Sequence, residues 1–118
     1  MTTLANIAVA LVALLHVYFL VLEMFLWDKP FGMRIFRLTP DFAKATKALA
    51  ANQGIYNGFL AAGLAWGLML GSAGDPIKIF FLCCVIVAGA VGAATVNLRI
   101  LWVQALPAAI ALGLVLAS

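Results

Sequence analysis

Charged residues are scarce in this chain, which has seven Lys and Arg and four Asp and Glu among 118 residues. They make up 9% of the sequence, whereas hydrophobic residues make up 67%. A soluble domain is about half apolar and about a quarter charged, so this composition excludes an ordinary soluble globule. It also excludes a disordered chain, which needs low hydrophobicity. We therefore predict an integral membrane protein that forms a single domain over residues 1–118.

Metal-ligating and nucleophilic residues are equally sparse. The chain has one histidine and two cysteines, Cys83 and Cys84, which are adjacent in an apolar run. This spacing fits neither a redox CxxC motif nor a zinc site. One histidine with one intramembrane glutamate supplies too few strong ligands for zinc or copper. We predict no metal and no cofactor, and we interpret both cysteines as buried packing residues.

Four apolar stretches are each long enough to cross a bilayer as a helix, which takes about 20 residues. They far exceed the roughly ten residues of a barrel strand, so the predicted class is all-α. Short connections make consecutive helices antiparallel neighbours, which predicts a four-helix bundle. The first stretch lacks a basic start and is therefore interpreted as a span, not a signal peptide. The four predicted spans cover approximately residues 4–27, 48–70, 77–96 and 98–117.

The charges that remain predict the orientation. The connection over residues 28–47 holds five cations and two acids, and Arg99 flanks the connection between the last two spans. Cations stay on the cytoplasmic side, so the 28–47 loop is predicted to be cytoplasmic and both termini outside. A net charge of +3 indicates no nucleic-acid partner here, because no basic face stands in water. The predicted partner is the lipid bilayer.

Helix boundaries and contacts can also be predicted locally. Thr39, Pro40 and Asp41 have the pattern of an N-cap, a first helical position and an acidic first turn, so a helix should begin there. Gly63 and Gly67 are four residues apart, a spacing that lets helix backbones approach closely in lipid. The spacing leaves open whether that contact lies inside one chain or between subunits.

Polar side chains interrupt three of the apolar stretches at matching depths. His16 and Glu23 are seven residues apart, which places them within about 20° of each other on a helix. The second stretch carries four polar residues in six positions, and the fourth carries Gln104. We predict that these groups line one ligand-binding pocket near the cytoplasmic face. The predicted pocket residues are His16, Glu23, Asn52, Gln53, Tyr56, Asn57 and Gln104.

Glu23 is the predicted ionisable anchor of this pocket, able to hold a cation or exchange a proton. The amides and Tyr56 would supply oriented hydrogen bonds, with His16 as a proton partner. Arg99 is a candidate charge partner for Glu23, although its side chain is equally suited to extend to the headgroups. In a purely structural alternative, the polar side chains only join the helices to one another by hydrogen bonds.

Several motifs carry a specific resemblance. They are His16-x6-Glu23-Met-Phe-x-Trp27, Leu38-Thr-Pro, Ala51-Asn-Gln-Gly-x-Tyr-Asn-Gly-Phe-Leu-Ala-Ala-Gly63 and Val103-Gln-Ala-Leu-Pro-Ala108. Together they resemble the bacterial family of small four-helix integral membrane proteins catalogued as domain of unknown function number 1304. The resemblance covers nearly the whole chain and implies the bacterial inner membrane. It implies an architecture and no mechanism.

Our leading hypothesis is an inner-membrane protein that binds, and in a homo-oligomer transports, a small ligand at the pocket around Glu23. One alternative is an intramembrane enzyme for an amphipathic substrate, with Glu23, His16 and Tyr56 as acid–base groups. Another is an accessory membrane subunit whose polar face docks a partner helix. The sequence does not distinguish transport from catalysis and does not specify the ligand.

Overall fold

The computed structural model describes residues 2–118 and is all-α, which confirms the predicted fold class. A 3₁₀ turn at Gly71–Gly74 comes directly before the fourth helix, and a π-helical turn at Leu101–Ala105 comes directly before the fifth. The described residues contain five α-helices: α1 Thr2–Met24, α2 Pro30–Phe36, α3 Pro40–Met69, α4 Asp75–Thr95 and α5 Leu106–Ala117.

Two stretches have the length and apolar composition of a membrane span. They are Thr2–Met24 and Gly71–Thr95, and a shorter apolar helix covers Leu101–Ala117. Helix α3 is longer than any of them, but its first turns carry Lys44 and Lys47, two of the five cations of the 28–47 connection. The length and composition of two helices therefore suit a membrane protein.

The chain forms two compact units. The terminal unit comprises residues 1–14 and 60–118, and the central unit comprises residues 15–59. The terminal unit has an apolar core whose buried members come from α1, α3, α4 and α5. Burial of such side chains stabilises the fold by roughly 25 cal/mol for each Å² of apolar surface. Its fully buried members include Val9, Leu64, Leu82, Val85 and Ala108.

Small residues bring helices together inside the terminal unit. A Cβ atom on Gly63 would overlap the Phe81 ring, and one on Gly67 would lie 2.7 Å from Cγ of Lys78. These glycines therefore let α3 approach α4 within one chain, which answers the question left open by their spacing. Gly89 has the same role on α4, where an added Cβ would lie 2.8 Å from the Ala105 side chain.

The fourth predicted span begins irregularly. Pro107 has no N–H to donate to the carbonyl of Val103, which weakens a regular helix at that point. The chain forms a π-helical turn just before the proline, in which the Leu106 N–H donates to the Leu101 carbonyl. The irregular backbone thus lies on the N-terminal side of Pro107.

The two adjacent cysteines differ in how far they are exposed. Cys83 is exposed and Cys84 is half-buried, so the prediction that both are buried is wrong. Adjacent residues on a helix point about 100° apart, so both can face the core only where the helix is enclosed on a wide arc.

In the central unit, α1 ends at Met24, three residues before the end of the predicted 4–27 span. Residues 25–29 form the turn that leads into α2, and a Cβ on Gly32 would overlap the Leu26 carbonyl. Helix α3 begins at Pro40, and the Phe42 N–H donates to Thr39 Oγ1 at 3.2 Å. The N-cap predicted at Thr39 is therefore confirmed.

Candidate functional site

The central unit pairs the predicted anchor with one of the predicted amides. Asn57 Nδ2 on α3 donates a hydrogen bond to Glu23 Oε1 on α1, and both side chains are half-buried. Glu23 lies one residue before the end of α1. The hydrogen bond therefore joins a carboxylate near the end of α1 to an amide on α3.

Glycines on either side of Asn57 explain why the two helices come this close. A Cβ on Gly54 would overlap the Met24 side chain, and a Cβ on Gly58 would lie 2.8 Å from Cδ1 of Leu20. The missing side chains let α3 approach the last turns of α1. Asn57, between the two glycines, then reaches Glu23.

His16 lies deeper in the central unit and is fully buried. Its ring packs edge-on against Phe19, with ring centroids 5.3 Å apart. Every buried side-chain nitrogen and oxygen in residues 2–118 has a hydrogen-bond partner, those of His16 included. Seven residues of helix separate His16 from Glu23, a rise of about 10 Å, so the two act as separate groups.

Three predicted pocket residues lie on the exposed face of α3. Asn52 and Gln53 are exposed, and Tyr56 retains 51% of its surface. The Tyr56 ring contacts Phe59, with ring centroids 6.2 Å apart. Within a single chain, these three side chains are therefore exposed, whereas Glu23 and Asn57 form a half-buried pair.

The remaining predicted residues belong to the terminal unit. Gln104 is half-buried in the π-helical turn. Arg99 is exposed, and its backbone N–H donates to Asn97 Oδ1 at 2.8 Å. The inclusion of Gln104 in the Glu23 pocket and the Glu23–Arg99 pair both stay predictions.

Side chains after α1 fasten its end to the start of α3. Trp27 Nε1 donates to Thr46 Oγ1 at 3.0 Å, and the Trp27 ring packs against Phe36 with centroids 4.9 Å apart. Lys47 Nζ lies 3.0 Å from Asp28 Oδ2. The hydrogen bond from the Lys47 ammonium holds the pKa of the Asp28 carboxyl below its ordinary value. Trp27 and Lys47 thus tie the end of α1 to the start of α3 close to Glu23 in the chain.

Sequence reasoning missed a second polar cluster. Lys78 is only 3% exposed in the first turns of α4, although lysines near a helix end are usually solvated. Its Nζ contacts Asp75 Oδ1 at 3.1 Å and both Asn6 Oδ1 and the Gly71 carbonyl at 3.3 Å. Two sequence features point to the cluster. Asp75 and Lys78 are three apart and share a helix face, and Asn6 is an isolated amide in an apolar helix.

Within residues 2–118, no group of three His, Cys, Asp or Glu side chains is placed to hold a metal ion. The side chains of the two clusters supply hydrogen bonds, ion pairing and proton exchange. In the central unit this chemistry centres on one carboxylate, and in the terminal unit on one ammonium group.

Comparison with known proteins identifies the family. The family described as "Protein of unknown function (DUF1304)" matches residues 10–116. The chain belongs to this family. It is also 32% identical over 106 residues to the uncharacterized protein YpaA of Lactococcus lactis subsp. lactis (strain IL1403), covering 88% of this chain and 89% of that protein. No solved structure matches the chain significantly. The family resemblance expected from the sequence motifs is confirmed, and it carries no activity with it.

Proposed function

We propose that this member of the family is a multi-pass protein of the bacterial inner membrane with four spans. In this proposal both termini lie outside and the 28–47 loop lies in the cytoplasm. Support comes from two helices of spanning length, from a third apolar helix of seventeen residues, Leu101–Ala117, and from the cations of the loop. The fourth span is α3, whose polar first turns would extend into the cytoplasm.

We further propose that the protein binds a small ligand at Glu23. The observation that carries this proposal is the Glu23–Asn57 hydrogen bond. The ion pairs within residues 2–118 are Lys47–Asp28 and Lys78–Asp75, and Glu23 takes part in neither. A half-buried carboxylate held by a neutral amide has no fixed counter-charge, so it favours a cationic group or a proton. The ligand proposed for this site therefore carries an amine or guanidine.

We propose that the working form is a homo-oligomer, in which transport of the ligand becomes feasible. The supporting observation is the exposed polar face of α3, formed by Asn52, Gln53 and Tyr56. Amides that face hydrocarbon are costly unless they find hydrogen-bond partners. Amide groups donate and accept at once, so the same face on a second copy satisfies them.

A ligand screen tests the Glu23 site. Purified protein in detergent is screened for thermal stabilisation by amines, guanidines, quinones, thiols and lipids at about pH 6 and about pH 8. Wild type is compared with Glu23→Gln, which keeps the size and hydrogen-bonding capacity of the side chain. Asp28→Asn is the matched control, because it neutralises an acid that already has a cation.

The proposal expects an amine or guanidine to stabilise wild type and Asp28→Asn but not Glu23→Gln. Equal stabilisation of all three proteins would remove Glu23 from the binding site. If no compound stabilises wild type, the polar groups of the central unit are better explained as contacts that join helices.

A further inference from the structure

The terminal unit holds a charged side chain in a setting that normally excludes one. Lys78 is 3% exposed, on a helix whose following residues are almost all apolar. A buried ammonium is costly unless its three donors are met and its charge is balanced. Asp75 supplies the charge, and Asn6 and the Gly71 carbonyl supply the other two acceptors.

The backbone is built around this lysine. A Cβ on Gly67 would lie 2.7 Å from Cγ of Lys78, so the missing side chain makes room for the lysine stem. A Cβ on Gly74 would overlap the Gly67 carbonyl, so the turn before α4 lies backbone to backbone on α3. Gly71 has a φ of +64°, a conformation that side chains disfavour. Three glycines thus fix where the ammonium sits.

The contact between the ammonium and the Asp75 carboxylate is long for a charge-assisted hydrogen bond. It measures 3.1 Å, whereas such bonds are typically about 2.7–2.9 Å. The Asp75 side chain is 38% exposed, so its carboxylate can turn to another partner at modest cost. The ion pair therefore has room to open and to give each charge to a ligand.

A cavity of about 200 Å³ adjoins this ion pair. An apolar cavity of about 150 Å³ is large enough to hold benzene, so this one can hold a small organic molecule. Ala5 and Val115 form apolar parts of its wall. Its polar lining comes from Thr2, Asn6, Ser72, Asp75, Lys78 and Ser118.

We propose that this Lys78 cavity binds a small zwitterion that carries an ammonium and a carboxylate, such as an aliphatic α-amino acid. The ligand carboxylate accepts from Lys78, the ligand ammonium donates to Asp75, and the aliphatic side chain lies against Ala5 and Val115. Both charges of the protein stay balanced, which a ligand with a single charge does not achieve. A purely structural ion pair would need no adjoining cavity.

Binding of three matched compounds tests the charge requirement. L-valine is compared with isovalerate, which lacks the ammonium, and with isobutylamine, which lacks the carboxylate. Affinity is measured by isothermal titration calorimetry on the purified full chain in detergent, and isobutylamine is titrated into Glu23→Gln, because the site proposed at Glu23 accepts amines. The proposal expects valine to bind at least about tenfold more tightly than either single-charge compound, the loss expected for one charged hydrogen bond.

Variants locate the site. Lys78→Met and Asp75→Asn should each weaken valine binding about tenfold or more. Asp75 is partly exposed, so Asp75→Asn keeps the test valid if Lys78→Met does not fold. Lys47→Met, which breaks the exposed ion pair of the central unit, is the matched control and should bind as wild type. Glu23→Gln should also bind valine normally, which separates this site from the one proposed at Glu23.

Three results would overturn the proposal. The first is the absence of valine binding to folded wild type. The second is binding of isovalerate to wild type, or of isobutylamine to Glu23→Gln, as tight as that of valine, which would show that a single charge suffices. The third is unchanged valine affinity in folded Asp75→Asn.

Discussion

The central and terminal units each hold one charged side chain away from water, but they treat it differently. Lys78 in the terminal unit has a counter-charge, two further acceptors and a backbone of glycines fitted around it. Glu23 in the central unit has a neutral amide as its hydrogen-bond partner and is only half-buried. A charge that already has its counter-charge is stable without a ligand, whereas one held by an amide leaves room for a cation.

The close approaches beside the two charges differ as well. Gly74 lies against the backbone of Gly67, which cannot move without displacing a helix. Gly54 lies against the flexible side chain of Met24, which can adopt another rotamer, and an added Cβ would lie 3.3 Å from the Leu20 carbonyl. The backbone around Lys78 should therefore be rigid, and the packing beside Glu23 more adaptable.

The largest expected effect on stability comes from adding a methyl group to the glycines at these helix contacts. Gly74→Ala should lower the free energy of unfolding by about 3 kcal/mol or more, because the added methyl overlaps backbone. Gly54→Ala should cost about 1 kcal/mol or less, since Met24 can yield and alanine favours the helix. Both values are measurable by SDS titration in mixed micelles.

Gly113→Ala is the control for these substitutions. A Cβ there would have nothing within 4 Å, so alanine should be neutral or stabilise α5 by about 0.5–1 kcal/mol. Equal losses for Gly74→Ala and Gly54→Ala would contradict the contrast between a rigid and an adaptable site.

The next largest effect concerns the bond between Asn57 and Glu23. Asn57→Ala should lower the free energy of unfolding by about 1–2 kcal/mol, because it leaves a half-buried carboxylate without its donor. In a Glu23→Gln background the same substitution should cost clearly less, since an unpaired neutral amide is less costly than an unpaired carboxylate. A double-mutant cycle measures the difference. Additive losses in the two backgrounds would show that the hydrogen bond contributes nothing specific.

A smaller effect separates the two charges directly. Asp75→Asn should lower the free energy of unfolding by about 1 kcal/mol, because the replaced carboxylate is partly exposed and asparagine keeps an acceptor for Lys78. Glu23→Gln should leave the free energy of unfolding unchanged or raise it. Glutamine keeps an acceptor for Asn57, and the substitution removes an unbalanced charge. The two variants are compared by the same SDS titration. A loss for Glu23→Gln as large as that for Asp75→Asn would mean that Glu23 has a counter-charge in the folded protein.

The smallest effect belongs to the exposed Asp28–Lys47 pair. Lys47 lowers the pKa of Asp28, so the pair stabilises the fold above the unfolded-state pKa of about 3.9. That contribution is lost as the pH falls through the lower folded-state value. Lys47→Met should raise the pKa of Asp28 toward its ordinary value. The pKa is measured by following the ¹³C chemical shift of the Asp28 carboxyl as the pH is changed. An unchanged titration midpoint would show that the pair does not form in solution.

Sequence reasoning was most successful where one residue type determines the local structure. The scarcity of charge and the four apolar stretches predicted an all-α chain, and Thr39 and Pro40 predicted where α3 begins. Depth matched Glu23 with Asn52 and Gln53, whereas in the structure Glu23 is hydrogen-bonded to Asn57. Gly54 and Gly58, on either side of Asn57, let α1 approach α3 at that point.

The sequence could not predict which side of α3 faces the interior. Asn52, Gln53, Tyr56 and Asn57 occupy a wide polar arc of α3, and this arc is wider than the contact between two helices. Lys78 was missed for a related reason. A lysine near the end of a helix is usually solvated, and its burial depends on Gly67, Gly74 and Asn6, which are distant in sequence.

The central claim is that Glu23 is the charge that binds the ligand, and equilibrium binding tests it most directly. The compound that gives the largest thermal shift in the screen is titrated into wild type, Glu23→Gln and Asp28→Asn by isothermal titration calorimetry. The account predicts an amine or guanidine whose affinity falls about tenfold or more in Glu23→Gln and is unchanged in Asp28→Asn. Equal affinity for wild type and Glu23→Gln would contradict it.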